Sequence, residues 1–531
     1  MKHAAQACVH EVVPMKLGID FGTTRIVVAA ADRGNYPLIS FENSGDSHEW
    51  FPNLVALRAS GEVSELRYGW DAWNAQSEPG WTIIRSVKRY LEDAGPETRI
   101  EAGGVSVRLV DMLHGLTAAL HDAIAAQAKP SEPLEIMLGV PANANSNQRF
   151  LTVEAFRRAG FNVLGVLNEP SAASIEFGHR QKLTGRILVY DLGGGTFDVS
   201  LVELGTGAHA VIASEGISSL GGDDFDQILA ELAVGGQTLD ALTDAELFFL
   251  MDECRRQKEA LHPNSRKIVI DLDAVREGLG HPNSHVTISV ADYCDKCRPL
   301  VDDTLRPTSR LAADGEIQAL YITGGGSELP LVSRALREEF GRKVKRSEYT
   351  RSATAIGLAI QADATSGYSL REMFTRNFGV WRESDAGRRM VFDAIFPRAT
   401  RLPGAGEPPL SARRIYSPVH NVGDFRYLEA SQIADDGQPS GDMTVWDEIL
   451  FPFDPELADS HTLDQLAVSH SPRAAIQKIE EHYACDAAGV VTVTIRNLTA
   501  HYGREYKLGR WSGKTAIVRP SARKRVRKTS K

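Results

Sequence analysis

The chain has 531 residues, 43% hydrophobic and 24% charged, the balance of a folded globular protein with room for about three or four ordinary domains or two large ones. This composition excludes a disordered polymer, a coiled coil and a collagen-like repeat, and no run of about 18 apolar residues offers a membrane span. The net charge of -10 argues against a nucleic-acid binder over the whole chain, but residues 512–531 carry eight basic residues and no acidic one.

In chain order, residues 1–15 lack an apolar core segment and read as a disordered extension, not a signal peptide. Leu17 to Phe21 and Ile26 to Ala30 are apolar runs separated by Gly22-Thr23-Thr24, which predicts a β-hairpin. Leu113 to Ala128 has helical spacing, Leu134 to Val140 reads as a buried strand, and Asn147 to Ala159 as a helix closed by Gly160. Val163 to Leu167 is a further strand and Ser171 to Phe177 opens a helix. The opening pattern then returns: Leu188 to Leu192, Gly193-Gly194-Gly195-Thr196, and Phe197 to Val202. Asp20 and Asp191 stand 171 positions apart, a distance suited to a duplicated domain. A third glycine turn, Gly324-Gly325-Gly326-Ser327, follows the strand Ala319 to Thr323 and precedes a helix with Pro330 in its first turn.

After about residue 366 the pattern becomes β-rich. Arg388 to Pro403, Ile415 to Leu428 and Val490 to Ile495 read as strands, with loops at 404–409 and 435–439. Five thinly spread cysteines point to a reducing, cytoplasmic setting rather than a disulfide scaffold. Cys294 and Cys297 form a C-x-x-C that reads as structural within a helix, since no second pair stands at zinc spacing.

Glycine turns expose successive backbone N–H groups, which form a concave site for phosphate oxygens. The Thr hydroxyls add donors. Asp20 and Asp191 bring two carboxylates to the same phosphates, suitable for Mg²⁺, which prefers oxygen and keeps its waters. Rival nucleotide motifs fail. No Gly-x-Gly-x-x-Gly joins a strand to a helix, and Gly509 to Thr515 has three residues between its glycines where a P-loop has four.

These residues carry a resemblance. Ile19-Asp20-Phe21-Gly22-Thr23-Thr24, Asp191 to Ser200, and Leu320 through Gly324-Gly325-Gly326-Ser327-Glu328-Leu329-Pro330 resemble, in order, the three signatures of the DnaK-type 70 kDa heat-shock chaperones of the actin-like ATPase superfamily. Val140-Pro141-Ala142, Asn168-Glu169-Pro170 and Leu220-Gly221-Gly222-Asp223 agree as well. The resemblance implies an α/β fold: a duplicated actin-like ATPase domain over 16–366, a linker over 367–377, a β-sandwich-like substrate domain over 378–511, and a basic tail. It implies ATP and ADP as ligands with Mg²⁺ held through water by Asp20 and Asp191, and phosphates bound at Gly22, Thr23, Thr24, Gly193, Gly194, Gly195 and Thr196. Lys88, Glu169, Asp191, Thr196 and Asp198 become the catalytic set; Gly221, Gly222, Asp223, Lys258, Glu259, His262, Gly324, Gly325, Gly326 and Glu328 fall around the nucleotide. Unfolded or specific protein clients, a J-domain co-chaperone and a nucleotide exchange factor are the implied partners, with nucleic acid touched only through 514–531.

The chain departs from the family in three places. Glu259 and Glu328 replace two arginines that sandwich adenine, His262 replaces a small polar residue, and Arg351 stands where an acid is usual, so nucleotide affinity is expected below the family norm. Arg371 and Arg376 reduce the acidity of the linker. Residues 512–531 are too few for the family's helical lid, so peptide exchange is expected to be fast. Two rival readings are a nucleotide-gated scaffold with little hydrolysis and a sugar kinase of the same superfamily. The C-terminal β-domain disfavours the kinase.

Overall fold

The computed structural model describes residues 14–508 and 517–518, apart from 61–62, 92–93, 95–96, 128–132, 143, 145, 182, 206–208, 218, 236–237, 274, 276–283, 314, 369, 371, 385–388, 405 and 461. The expected N-terminal extension up to residue 13 and all of the basic tail except Ile517–Val518 lie outside the described residues. Those two residues pair in parallel with Arg99 and Ile100.

The first lobe is built on a sheet of Met15–Phe21 (β1), Arg25–Ala30 (β2), Phe51–Pro52 (β3), Leu134–Val140 (β4) and Asn162–Asn168 (β5), in the order β5-β4-β1-β2-β3. β1 and β2 form the antiparallel hairpin, and β4 adds in parallel to β1. Gly69–Ala75 (α1), Leu109–Ala125 (α2) and Ser146–Arg158 (α3) complete the lobe. α2 starts four residues before its predicted position and buries Met112, Leu116, Leu120 and Ile124 at helical spacing.

The second lobe repeats the plan. Gly185–Leu192 (β6) and Phe197–Leu204 (β7) form the hairpin, followed by His209–Ile217 (β8), with Ala319–Thr323 (β9) parallel to β6 and Val344–Arg346 (β10) beyond it. Between the lobes lie Glu169–Gln181 (α4) and Ala353–Ala362 (α9), whose close crossing needs glycine: a Cβ on Gly357 would stand 1.8 Å from the carbonyl oxygen of Ala172. α9 buries almost every residue, as a helix apolar on all sides must. Among the described residues the second lobe also has the α-helices Gly222–Ala233 (α5), Asp244–Glu259 (α6), Val290–Ala312 (α7) and Pro330–Phe340 (α8). Cys294 and Cys297 lie within α7 and are free thiols.

The β-rich part is a sandwich of two four-stranded antiparallel sheets. One holds Asn377–Ser384 (β11), Arg389–Phe396 (β12), Val422–Ile433 (β14) and Pro439–Pro452 (β15); the other holds Leu410–Tyr416 (β13), Ile479–Cys485 (β16), Val491–Asn497 (β17) and Tyr502–Lys507 (β18). Residues 415–428, expected as one strand, divide between the two sheets because Ser417-Pro418 ends β13 and removes a ladder donor. Strand β12 stops at Phe396, well short of Pro403. Facing aromatic rings of Phe378, Tyr427, Trp446 and Phe451 fill the core.

The sandwich packs on the first lobe. Ala488 and Val490 join that lobe's core, Arg157 pairs with Asp486 at 2.9 Å and Lys507 with Glu154 at 2.5 Å. The connecting segment keeps an acid after all: buried Glu372 accepts from the backbone N–H of Asn168 at 2.8 Å and from its Nδ2 at 2.7 Å, while Arg149 donates to Asn168 Oδ1 at 2.5 Å. Leu370 packs among Leu167, Ala172 and Ile356, and Phe374 enters the sandwich core. Arg371 lies outside the described residues.

Candidate functional site

In each lobe the first hairpin strand carries an aspartate, Asp20 or Asp191, at its next-to-last position, and a small-residue turn follows the strand. The Gly193 N–H donates to the Thr196 carbonyl at 2.9 Å and closes the second turn; Asn53 Nδ2 donates to the Gly22 carbonyl at 2.7 Å and braces the first. The turns meet across the cleft, since a Cβ on Gly194 would stand 2.4 Å from Thr24 Oγ1. Helix α5 begins against the second turn, with Gly222 and Asp223 N–H groups donating to the Gly193 and Gly194 carbonyls at 2.9 and 2.7 Å. At Gly324, φ is +82° and a Cβ would approach Asp191 Oδ1 to 2.3 Å, so only glycine fits there.

A cavity of about 610 Å³ opens between the lobes. Asp20, Gly22, Thr23, Thr24, Gly193, Gly194 and Thr196 line it, together with Lys88, Glu169, Asp191 and Asp198. Gly222, Asp223, Lys258, Glu259, Gly324, Gly325 and Gly326 also line it, with Arg25, Trp50, Arg255 and Arg351. Gly195, Gly221 and Glu328 are not part of this lining; the Gly195 carbonyl accepts from Arg89 Nη2 at 3.0 Å. His262 lies past the end of α6 at Glu259, exposed and outside the lining, so the structure does not bring it to the site.

The charge at one end of the cavity is concentrated. Ser86, at φ 61°, turns the chain into the short 3-10 helix Val87–Leu91 that carries Lys88. Lys88 Nζ donates to Glu169 Oε1 at 2.5 Å, and both side chains are 13% exposed, so Lys88 is not the surface lysine its helical setting alone would suggest. Burial alone would depress the Lys88 ammonium, but Glu169 and Asp20 hold it above its ordinary value. Burial, with Glu169 adding repulsion, pushes the Asp20 carboxyl up to about 7 and Asp198 also to about 7. Burial and three neighbouring carboxylates hold Asp191 well above the usual range. This crowding of oxygen donors fits a hard divalent cation, whose charge would reverse the repulsion. Among the described residues, no three His, Cys, Asp or Glu side chains converge into a direct metal cage.

At the other end, the charges are paired within the protein. Arg25 Nη2 donates to both carboxylate oxygens of Glu259 at 3.0 and 3.3 Å, and its guanidinium carbon lies 4.7 Å from the centre of a Trp50 ring. Arg351 donates to Glu259 Oε2 at 2.8 Å and, through Nε and Nη2, to Glu328 Oε2 at 2.8 and 2.5 Å. Lys258 Nζ donates to the Gly222 carbonyl at 2.8 Å and pairs with Asp226 at 2.6 Å; Arg255 lies 3.4 Å from Asp223 and 3.5 Å from Asp226. Arg25, Trp50 and Arg255 were missed by sequence reasoning. The only local signal is the position of Arg25 directly after Thr24; its partner is 234 residues away.

Comparison with known proteins places these features in context. A family model described as Hsp70 protein matches residues 116–377. The chain is 32% identical over 420 residues to a chaperone protein HscA homolog of Burkholderia multivorans, covering 73% of this chain and 65% of that protein. It is 31% identical over 518 residues to the HscA homolog of Chromobacterium violaceum, covering 92% and 77%, and 33% identical over 428 residues to that of Laribacter hongkongensis, covering 74% and 65%. The chain thus spans just under two thirds of the first and last of these relatives.

Proposed function

The chain belongs to the Hsp70 family, a family of ATP-hydrolysing chaperones that bind ATP or ADP with Mg²⁺, and from that premise we propose that it hydrolyses ATP slowly to time the capture and release of polypeptide. The observation that carries this reading is the pair of Asp hairpins facing each other across one cavity, with the Lys88–Glu169 pair beside them. The turn N–H groups and the Thr23, Thr24 and Thr196 hydroxyls receive the β- and γ-phosphates. Lys88, held by Glu169, orients the attacking water, and Asp198 accepts a hydrogen bond from it. Bound Mg²⁺, reached by Asp20 and Asp191 through water, would neutralise phosphate charge. Phosphoryl transfer needs chiefly positioning and neutralisation, which this set supplies.

The domains are assigned as 16–366 for the ATPase, 367–377 for the linker and 378–511 for the polypeptide-binding part, in a cytoplasmic protein. The buried Asn168–Glu372 contact ties the linker to the strand end next to Glu169, a short route between nucleotide and client. A J-domain co-chaperone and an exchange factor are the partners in this reading. Single-turnover hydrolysis of ATP by wild type and Lys88→Ala tests it: a fall of about a hundredfold is expected, and equal rates would remove the mechanism. A second reading, a nucleotide-gated scaffold with little turnover, draws on the self-paired Arg25, Glu259, Arg351 and Glu328.

A further inference from the structure

Inside the sandwich, one end of β11 is held by ions. Arg382 donates Nη1 and Nη2 to the two carboxylate oxygens of Glu481 on β16 at 2.9 and 2.7 Å, and Nε to Asp393 of β12 at 2.7 Å. The Tyr483 hydroxyl also donates to Glu481, which is fully buried. The pair spans the two sheets, and an apolar side chain entering between them there would strand a buried charge. The outside differs. β15 ends its sheet, in the order β12-β11-β14-β15, so its outer edge pairs with no strand among the described residues. Phe392 of β12, Trp381 of β11, Leu428 and Ala430 of β14, and Met443 and Val445 of β15 share the face turned away from the core. The inner members of this stripe are covered: Phe392, Leu428 and Ala430 are buried, and Gln438 of the β14–β15 turn reaches back to donate to the Met390 carbonyl at 3.3 Å. At the edge the stripe is bare, with Met443 57% and Val445 58% exposed.

The bare stretch is short and has defined ends. On one side the ladder with β14 breaks at Gly441, where φ is +75° and a Cβ would stand 2.3 Å from Ser431 Oγ. On the other side the chain caps its own edge. The Glu448 N–H donates to Asp447 Oδ1 at 2.8 Å, and the Leu450 and Pro452 carbonyls accept from the Tyr506 and Tyr502 hydroxyls at 2.9 and 2.7 Å. Between these ends, among the described residues, no backbone hydrogen bond ties 443–446 to anything outside the sheet. Open edge groups need backbone partners, which a helix has already used within itself and an extended segment still offers. An edge of this length, about 13 Å, buries far less than the ~1,200–2,000 Å² of a stable dimer, and a second copy brings the same net charge of -10. The occupant that fits is a short extended polypeptide.

We propose that the 443–446 edge of β15 captures client polypeptide by adding it to the sheet as a further strand, on the outside of the sandwich and not between its sheets. Alternate apolar side chains of the client lie on Met443 and Val445, and its backbone bonds to the open edge. This capture rests on the polypeptide reading above and gives it a surface. The favoured client segment alternates apolar and polar residues over about four to six positions, because side chains of a strand alternate between its faces.

The test uses the full chain. Fluorescence anisotropy follows binding of a fluorescein-labelled peptide of alternating valine and threonine with lysine at each end, and of unfolded, carboxymethylated lactalbumin. Wild type is compared with Met443→Lys, Val445→Lys and the control Ile476→Lys, which changes an exposed apolar residue elsewhere on the sandwich. Peptide affinity is expected to fall about tenfold in Val445→Lys and in Met443→Lys, with melting temperature and the control unchanged. Two further peptides carry backbone N-methyl groups on alternate residues, one in each register. Strand addition uses the N–H groups of one register, so one of the two should lose binding although its side chains are intact. Equal affinity of both N-methylated peptides and the parent, or equal affinity of wild type and the two edge variants, would overturn the proposal. If wild type and edge variants bind lactalbumin alike, the edge falls and the polypeptide reading stands. If wild type binds neither probe, the polypeptide reading falls and the edge with it. Self-association in sedimentation that Val445→Lys abolishes would assign the edge to a second copy and overturn the proposal.

Discussion

The two ends of the cleft solve opposite electrostatic problems. At the hairpin end, Asp20, Asp191, Asp198 and Glu169 share one Lys88, and three of those carboxyls are pushed upward by burial and repulsion. At the α6 end, Glu259 and Glu328 are matched by Arg25 and Arg351, and Glu259 is held below its ordinary value by those arginines despite its burial. The first arrangement is costly on its own and gains when a cation and phosphates arrive. The second is satisfied before anything binds. An affinity-determining site and a self-closed one thus sit within one cavity, and substitutions at the two ends should change stability with opposite signs.

The largest expected effect is at the hairpin end. Asp191→Asn should slow single-turnover hydrolysis by about a hundredfold to a thousandfold and raise the melting temperature of the nucleotide-free protein, because a carboxyl disfavoured by burial and by its acidic neighbours is replaced by a neutral amide. A fall in both would contradict the contrast. Next in size is a control away from both ends. His209 is buried against Ser174, whose Oγ lies 2.9 Å from Nδ1, and burial depresses the imidazole to about 4. Its folded value lies below the unfolded one of about 6.5, so its contribution is full above that pH and is lost as pH falls towards 4. Urea unfolding should lose about 3 kcal/mol over that window, a slope that His209→Gln should flatten. Smallest is the α6 end: Glu259→Ala should destabilise by about 1–2 kcal/mol, since it leaves half-buried Arg25 without its carboxylate. Chemical denaturation would read this, and a gain in stability would break the comparison.

The hairpin end was legible in the sequence because its chemistry is local: strand, Asp, turn glycines and Thr occupy a few consecutive positions at Asp20 and again at Asp191. The α6 end was only half legible. Glu259, Glu328 and Arg351 stood out as charge changes, yet they read as a damaged base pocket. Only the fold shows that Arg351 joins the two glutamates and that Arg25 reaches Glu259 from the other lobe. In the sandwich, β17 followed from the alternation of Val491, Val493 and Ile495, whereas β15 was missed. Register shifts against β14 break its period, and Asp447 and Glu448 interrupt the apolar pattern. In the linker, Arg371 and Arg376 drew the eye as lost acidity, and the buried contact of Glu372 with Asn168, between residues 204 positions apart, had no local signal.

The account's central claim is that the hairpin end supplies most of the binding energy and the α6 end little. Titration calorimetry of the full chain with Mg²⁺ and either ATP or inorganic tripolyphosphate tests this directly. Tripolyphosphate is predicted to bind within about tenfold of ATP, with ATP itself no tighter than about micromolar. Nanomolar ATP binding beside undetectable tripolyphosphate binding would contradict it.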